Sequence, residues 1–322
     1  MSTGQAGFLE SGRPWVSGRS GHAARRATSH VARRPSGTVI ALLALYACWG
    51  SSIPAMKLMV KSVPPLAGAG LVFVLGGMVL GVGARRRVRP TSAQVGRAAL
   101  AGTVLLVGGQ GLATVVLTKL TASLVAVLVA TVPLWVLLLA RLGGTTMTRG
   151  STVRILLGFA GIVLVVASAP GAAIGGSPWA VIGCCTAPVL WAAGSLLAAD
   201  RSTLPVDLQL TSAIQLLAGG TILLALAALF GQLAPGAWSH ASAGSLAAGG
   251  FLLVVDSLAG FLLYTHLLRT APPQLVSTYA YATPLVAAGI GTVVLGEPLW
   301  LGAVAGAVLV SSAGALEVRA PR

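Results

Sequence analysis

Six acidic residues occur in 322, and one of them interrupts an apolar run. Asp256 stands in FLLVVDSLAGFLLY, near the middle of the run 245–268. A carboxyl at the centre of a lipid-crossing helix costs about 2.5–3.5 kcal/mol on insertion scales. Two uses fit it: a site for a cation or a coupling proton, or a neutral, hydrogen-bonded acid that glues helices together. Gly260 and Tyr264 follow on the same helical face, and Gly260 leaves room beside the carboxyl. Gln110, in GGQGLAT, carries an amide that either reads a polar ligand or bonds a neighbouring helix. Between residues 274 and 288, Gln274, Ser277, Tyr281, Pro284 and Ala288 recur at helical spacing and form one polar or small stripe. Tyr279 points nearly the opposite way. The Tyr281 hydroxyl either bonds a neighbouring helix or contacts a solute. No group has metal-ligand spacing, and no GxxxxGK[ST] run is present to hold a nucleotide. Asp256 and His266 face different ways on one run, so no clustered catalytic set exists. A catalytic role, a metal and a cofactor are therefore not expected. Cys48, Cys184 and Cys185 lie in apolar runs and read as small apolar residues.

These residues need elements that suit lipid. Only 8% of the chain is charged, 56% is hydrophobic, and mean hydropathy is +0.90. Soluble domains carry about 25% charged residues. Apolar runs cover 37–57, 65–84, 98–117, 121–140, 152–170, 178–198, 208–230, 245–268, 275–295 and 299–317. Runs of about 20 residues match a helix crossing a core of about 30 Å. They do not alternate as barrel strands do. The expected fold is an all-α integral membrane protein of ten transmembrane helices.

The net charge of +15 does not point to nucleic acid, because of where it lies. Eighteen of the 21 basic residues fall before the first run, after the last, or in every second connection. The exceptions are Lys57, Lys61 and Lys119. Positive charge is retained in the cytoplasm, so both termini are expected there, in the plasma membrane. Residues 1–36, rich in Gly, Ser, Ala and Arg, read as a disordered basic tail able to touch lipid headgroups. Lys57 reads as a snorkelling interfacial residue.

The chain repeats itself. SLVAVLVATVPL (123–134) aligns with QLVSTYAYATPL (274–285), which places Pro133 on Pro284. LLGFAGIVLV (156–165) resembles WLGAVAGAVLV (300–310), and Trp49 falls on Trp191. Two halves result, 37–170 and 171–322, with five runs each. An odd number of spans per half inverts one copy relative to the other, the plan of many secondary transporters. Pro133 and Pro284 then kink matched helices around a central cavity. Glu297, before Pro298, reads mainly as an acid at the N-terminus of the last span. Glycine pairs at 77/81 and 302/306 permit close helix contact, within the chain or in a homodimer.

WGSSIPAMK in the first span and LVSTYAYATPLVAAGIGTVVLGEPLWLGAVAGAVLV near the end resemble the EamA-type branch of the drug/metabolite transporter superfamily. The resemblance covers all but the N-terminal tail. It implies a ten-helix secondary carrier moving a small organic metabolite, such as an amino acid or drug-like solute, outward by alternating access. It also implies that the region of Trp49 and Ser51 lines the solute path. LGGTTMTRG stands where the first half of such proteins usually has a Gly-Glu turn, and an acid at the position of Asp256 is not implied. Ten positions are thus expected to bind solute: Trp49, Ser51, Gln110, Pro133, Trp191, Asp256, Gln274, Ser277, Tyr281 and Pro284. Protons are the candidate coupling ion, through Asp256. The alternative is a membrane sensor or partner that moves nothing.

Overall fold

A computed structural model describes residues 35–84, 89–144, 149–168, 177–280, 290, 292–296 and 300–319. Helix is the regular structure throughout these residues, with no strand among them. Seven helices are long and apolar enough to cross a membrane: Gly37–Met59, Pro65–Gly83, Ser92–Val116, Ala122–Leu142, Pro178–Ala199, Leu208–Leu229 and Ala243–Thr270. Two more long helices, Arg149–Ser168 and Leu301–Arg319, pack on each other. They coincide with the expected spans 152–170 and 299–317. The middle of the expected span 275–295, residues 281–289 with 291, falls outside the described residues, as does the basic tail up to residue 34.

Two spans are broken rather than kinked. The first divides at Ser51 into Pro35–Gly50 and Ser52–Met59. Ser51 Oγ donates back to the carbonyls of Ala47 and Cys48, each at 3.0 Å, which loosens the ladder there. The fourth divides into Ala122–Val129 and Val132–Leu142. Pro133 sits in the first turn of the second piece, where its missing N–H removes no helical bond. The expected kink at Pro133 is thus a helix start, with Thr131 Oγ1 donating to Leu128 O at 2.6 Å across the break.

Two other spans widen. Val104–Gly111 and Leu252–Gly260 are π-helical, one inside Ser92–Val116 and the other inside Ala243–Thr270. Each holds a polar residue singled out in the sequence, Gln110 in one and Asp256 in the other.

Glycines set the tightest packing. Pro65–Gly83 lies against Leu208–Leu229 backbone to backbone. A Cβ on Gly77 would lie 2.9 Å from the Leu217 amide nitrogen, and one on Gly220 2.8 Å from that of Val74. Gly302 abuts Ser168 on the partner helix. One glycine from each expected pair is therefore used inside the chain.

Side chains tie the connections into two groups. In one, Gln232 Oε1 accepts from the first-turn amides of Leu66 and Ala67 at 2.9 and 3.3 Å, and Ser62 Oγ donates to Ser242 Oγ at 3.1 Å. Lys57 belongs there too, its ammonium donating to Leu117 O and Leu120 O at 2.7 and 2.8 Å. It caps a helix end, beyond the snorkelling the sequence suggests. In the other group Arg269 donates to the carbonyls of Val206 and Pro205, both at 2.6 Å. Gln94 Nε2 donates to Leu204 O at 3.3 Å beside them. Asp200, at the mouth of that loop, accepts from the Ser202 hydroxyl, which holds its carboxyl below the usual range. Lys57 and Arg269 thus belong to different groups of connections.

Candidate functional site

Trp49 ends the helix Pro35–Gly50, just before the break at Ser51. Its indole fits because residue 260 has no side chain: a Cβ there would lie 2.5 Å from Trp49 Nε1. Gly260 makes room for the indole more directly than for the carboxyl. Three rings surround Trp49, with centroids at 4.7 Å for Tyr264, 4.7 Å for Tyr279 and 5.3 Å for Trp191. The tryptophans that the internal repeat aligns thus meet edge to face, at 82°. Gly109 does for Trp191 what Gly260 does for Trp49, since a Cβ on it would meet the indole at 2.7 Å. Tyr264 is anchored by a hydroxyl–hydroxyl bond to Ser195, whose Oγ also meets Trp191 O at 2.6 Å.

Asp256 adjoins this cluster and is only 4% exposed. Gln110 Nε2 donates to its Oδ2 at 2.7 Å, and the Ser52 hydroxyl lies against the carboxyl. Its backbone carbonyl accepts from Trp49 Nε1 at 3.4 Å and from the Phe261 amide, the long-turn bond of the π segment. The two π segments therefore meet at their polar residues. Gln110 is held in turn by its place beside Met56 Sδ, at 3.8 Å, and by Thr114, whose hydroxyl bonds Gln110 O at 2.8 Å.

The pair forms part of the wall of a cavity. Its other walls include Trp49, Trp191, Tyr279, Ser52 and Pro188. Pockets for small molecules combine apolar walls with a few polar groups. Among the described lining residues Asp256 is the one acid, and none is Lys, Arg or His. A smaller cavity also touches the pair and is walled by Met59, Phe73 and Thr114.

Of the expected positions, Trp49, Gln110, Trp191 and Asp256 come together here. Ser52 and not Ser51 lines the cavity, although both hydroxyls donate back to their own helix. Pro133 is buried beside the wall, which Val129 and Val132 supply. Ser277 is buried off the cavity, and Tyr279 lines it instead. The reason is local. The helix Pro273–Val276 is only four residues long, and the chain turns at Ser277, with Ala280 N bonding Ser277 O at 3.1 Å. Helical spacing counted through that turn puts Tyr279 on the wrong side. Tyr281, Pro284 and Glu297, and the side chain of Gln274, lie outside the described residues. Pro188 had a signal that passed unused: it is a proline inside an apolar run, close before Trp191.

Comparison with known proteins places this chain beside transporters. The EamA-like transporter family matches residues 36–167 and again 178–316. The uncharacterized inner membrane transporter YedA of Escherichia coli (strain K12) is 34% identical over 262 residues, covering 80% of this chain and 83% of that protein. The uncharacterized transporter YvbV of Bacillus subtilis (strain 168) is 27% identical over 282 residues, covering 85% and 88%. A solved crystal structure shares the fold, with a TM-score of 0.63 at 18% identity over 88% of this chain and 96% of its own.

Proposed function

The chain belongs to the EamA-like transporter family, and from that premise we propose that it is a secondary carrier exporting a small organic metabolite across the cytoplasmic membrane. Ten helices, arranged as two inverted five-helix repeats over 37–170 and 171–322, alternate access to one central cavity. Both termini are cytoplasmic, on the side of the arginine-bearing connections. The observation that supports the reading most is the Gln110–Asp256 bond in the cavity wall. It joins two widened helices, and wide turns of this kind concentrate at functional sites. Broken spans beside it, at Ser51 and at Ala130–Thr131, suit a site formed by discontinuous helices. Asp256 is the group through which protons couple.

Reconstitution tests this. Purified protein in proteoliposomes should exchange radiolabelled solute from a metabolite panel with unlabelled solute. Asp256→Asn should retain some exchange at saturating solute yet lose accumulation driven by a pH gradient. Absence of exchange with every panel member would favour a sensor or partner that moves nothing.

A further inference from the structure

The cavity has a sign. Asp256 is buried, and no Lys, Arg or His among the described lining residues neutralises it. Residues 281–299 contain no basic residue either. Lys57, the one basic residue within the first span, has its ammonium committed to the carbonyls of Leu117 and Leu120. What faces the carboxyl is aromatic: Trp49, Trp191 and Tyr279 form neighbouring walls of the same space. Ring faces carry partial negative charge and attract cations, most strongly where water is excluded. A buried carboxylate likewise gains most from a cation that replaces its lost hydration.

Resting on the transport reading above for its physiological setting, we propose that the solute is an organic ammonium ion with an apolar body, its charge at the Asp256 carboxylate and its body against Trp49, Trp191 and Tyr279. Gln110 is a positioning residue: its amide holds Oδ2, while the Ser52 hydroxyl lies against the same carboxyl. An anion would meet an uncompensated like charge. A neutral solute would leave the carboxyl as it is and gain only the apolar walls.

The full chain in lipid nanodiscs is titrated calorimetrically with four probes of similar size: benzyltrimethylammonium, phenylacetate, phenylalanine and benzyl alcohol. Benzyltrimethylammonium should bind, and the other three should bind at least about tenfold more weakly. Asp256→Asn should remove most of that preference, and Trp49→Leu should weaken the ammonium probe severalfold. Should Asp256→Asn fail to give a monodisperse protein, the wild-type probe series decides alone. Equal binding of the ammonium probe by wild type and Asp256→Asn overturns the proposal. So does tighter binding of phenylacetate or phenylalanine, or of benzyl alcohol, and so does binding of no probe. Counterflow in proteoliposomes separates the two readings. Binding at Asp256 without counterflow keeps the ligand class and removes transport. Counterflow of phenylacetate or phenylalanine without ammonium binding does the reverse.

Discussion

At the scale of single residues, the site depends on two glycines as much as on its polar groups. Gly260→Ala would place a methyl 2.5 Å from Trp49 Nε1 and 2.8 Å from Cδ1. The indole must move, and with it the wall shared with Tyr264 and Tyr279. Expression should change little, while solute affinity should fall; binding measured against thermal stability checks this. Gln110→Leu is different in kind. It deletes one interhelical hydrogen bond, worth about 1 kcal/mol in a membrane interior, and leaves Oδ2 of a buried carboxyl without its donor. Thermal stability should drop modestly, and Gln110→Asn should not restore it, since the shorter side chain cannot span the 2.7 Å bond from the same backbone position. Asp256, Gln110 and the two tryptophans were legible in the sequence because buried polarity and matched aromatics stand out against lipid-compatible surroundings. Ser52 and Tyr279 were not. Choosing between adjacent serines, or tracing a face through 277–278, needs the helix ends, which no period reveals.

At the scale of elements, apolar length announces spans but hides how they are interrupted. The break at Ser51 and the π segments leave hydropathy unchanged, so they are invisible to it. Close packing is equally silent beyond its glycines. Gly220→Ala tests that packing: the added carbon would sit 2.8 Å from Val74 N, a backbone atom that cannot swing aside. Overpacking of this kind costs about 1–3 kcal/mol. The variant should melt earlier, and because neither Gly220 nor Val74 lines the cavity its ligand affinity per folded molecule should fall less than that of Gly260→Ala. Pro133→Ala gives the opposite test. The proline starts a helix in place, so alanine should be tolerated in folding, and any loss should appear in flux.

At the scale of the whole molecule, the arrangement of connections makes orientation testable. Ser62 and Ser242 touch at 3.1 Å through their hydroxyls. A Ser62→Cys, Ser242→Cys double variant should form a cross-link where thiols are oxidised. In bacterial cells that is the periplasmic side. Spontaneous cross-linking before lysis, seen as a mobility shift that reductant reverses, is the expected outcome. Thiols that stay reduced in intact cells and pair only after oxidant reaches the cytoplasm would reverse the assigned topology. Family membership was readable from the final motif and the internal repeat together, since both describe the same ten-run pattern. The solute was not, because its class depends on which side chains converge from distant runs.

The ring cluster has an optical consequence. Trp49 and Trp191 stand 5.3 Å apart with two tyrosines on Trp49 at 4.7 Å. Chromophores that close and held at fixed angles share their ultraviolet transitions, and fixed aromatic packing is what near-ultraviolet dichroism detects. Trp135 meets Phe159 edge to face and Trp179 is half exposed, so neither belongs to this group. Any molecule entering the cavity must disturb the group of four. The protein therefore carries a built-in spectroscopic reporter of occupancy, and a dichroism difference spectrum abolished by Trp49→Phe would read ligand entry with no label attached.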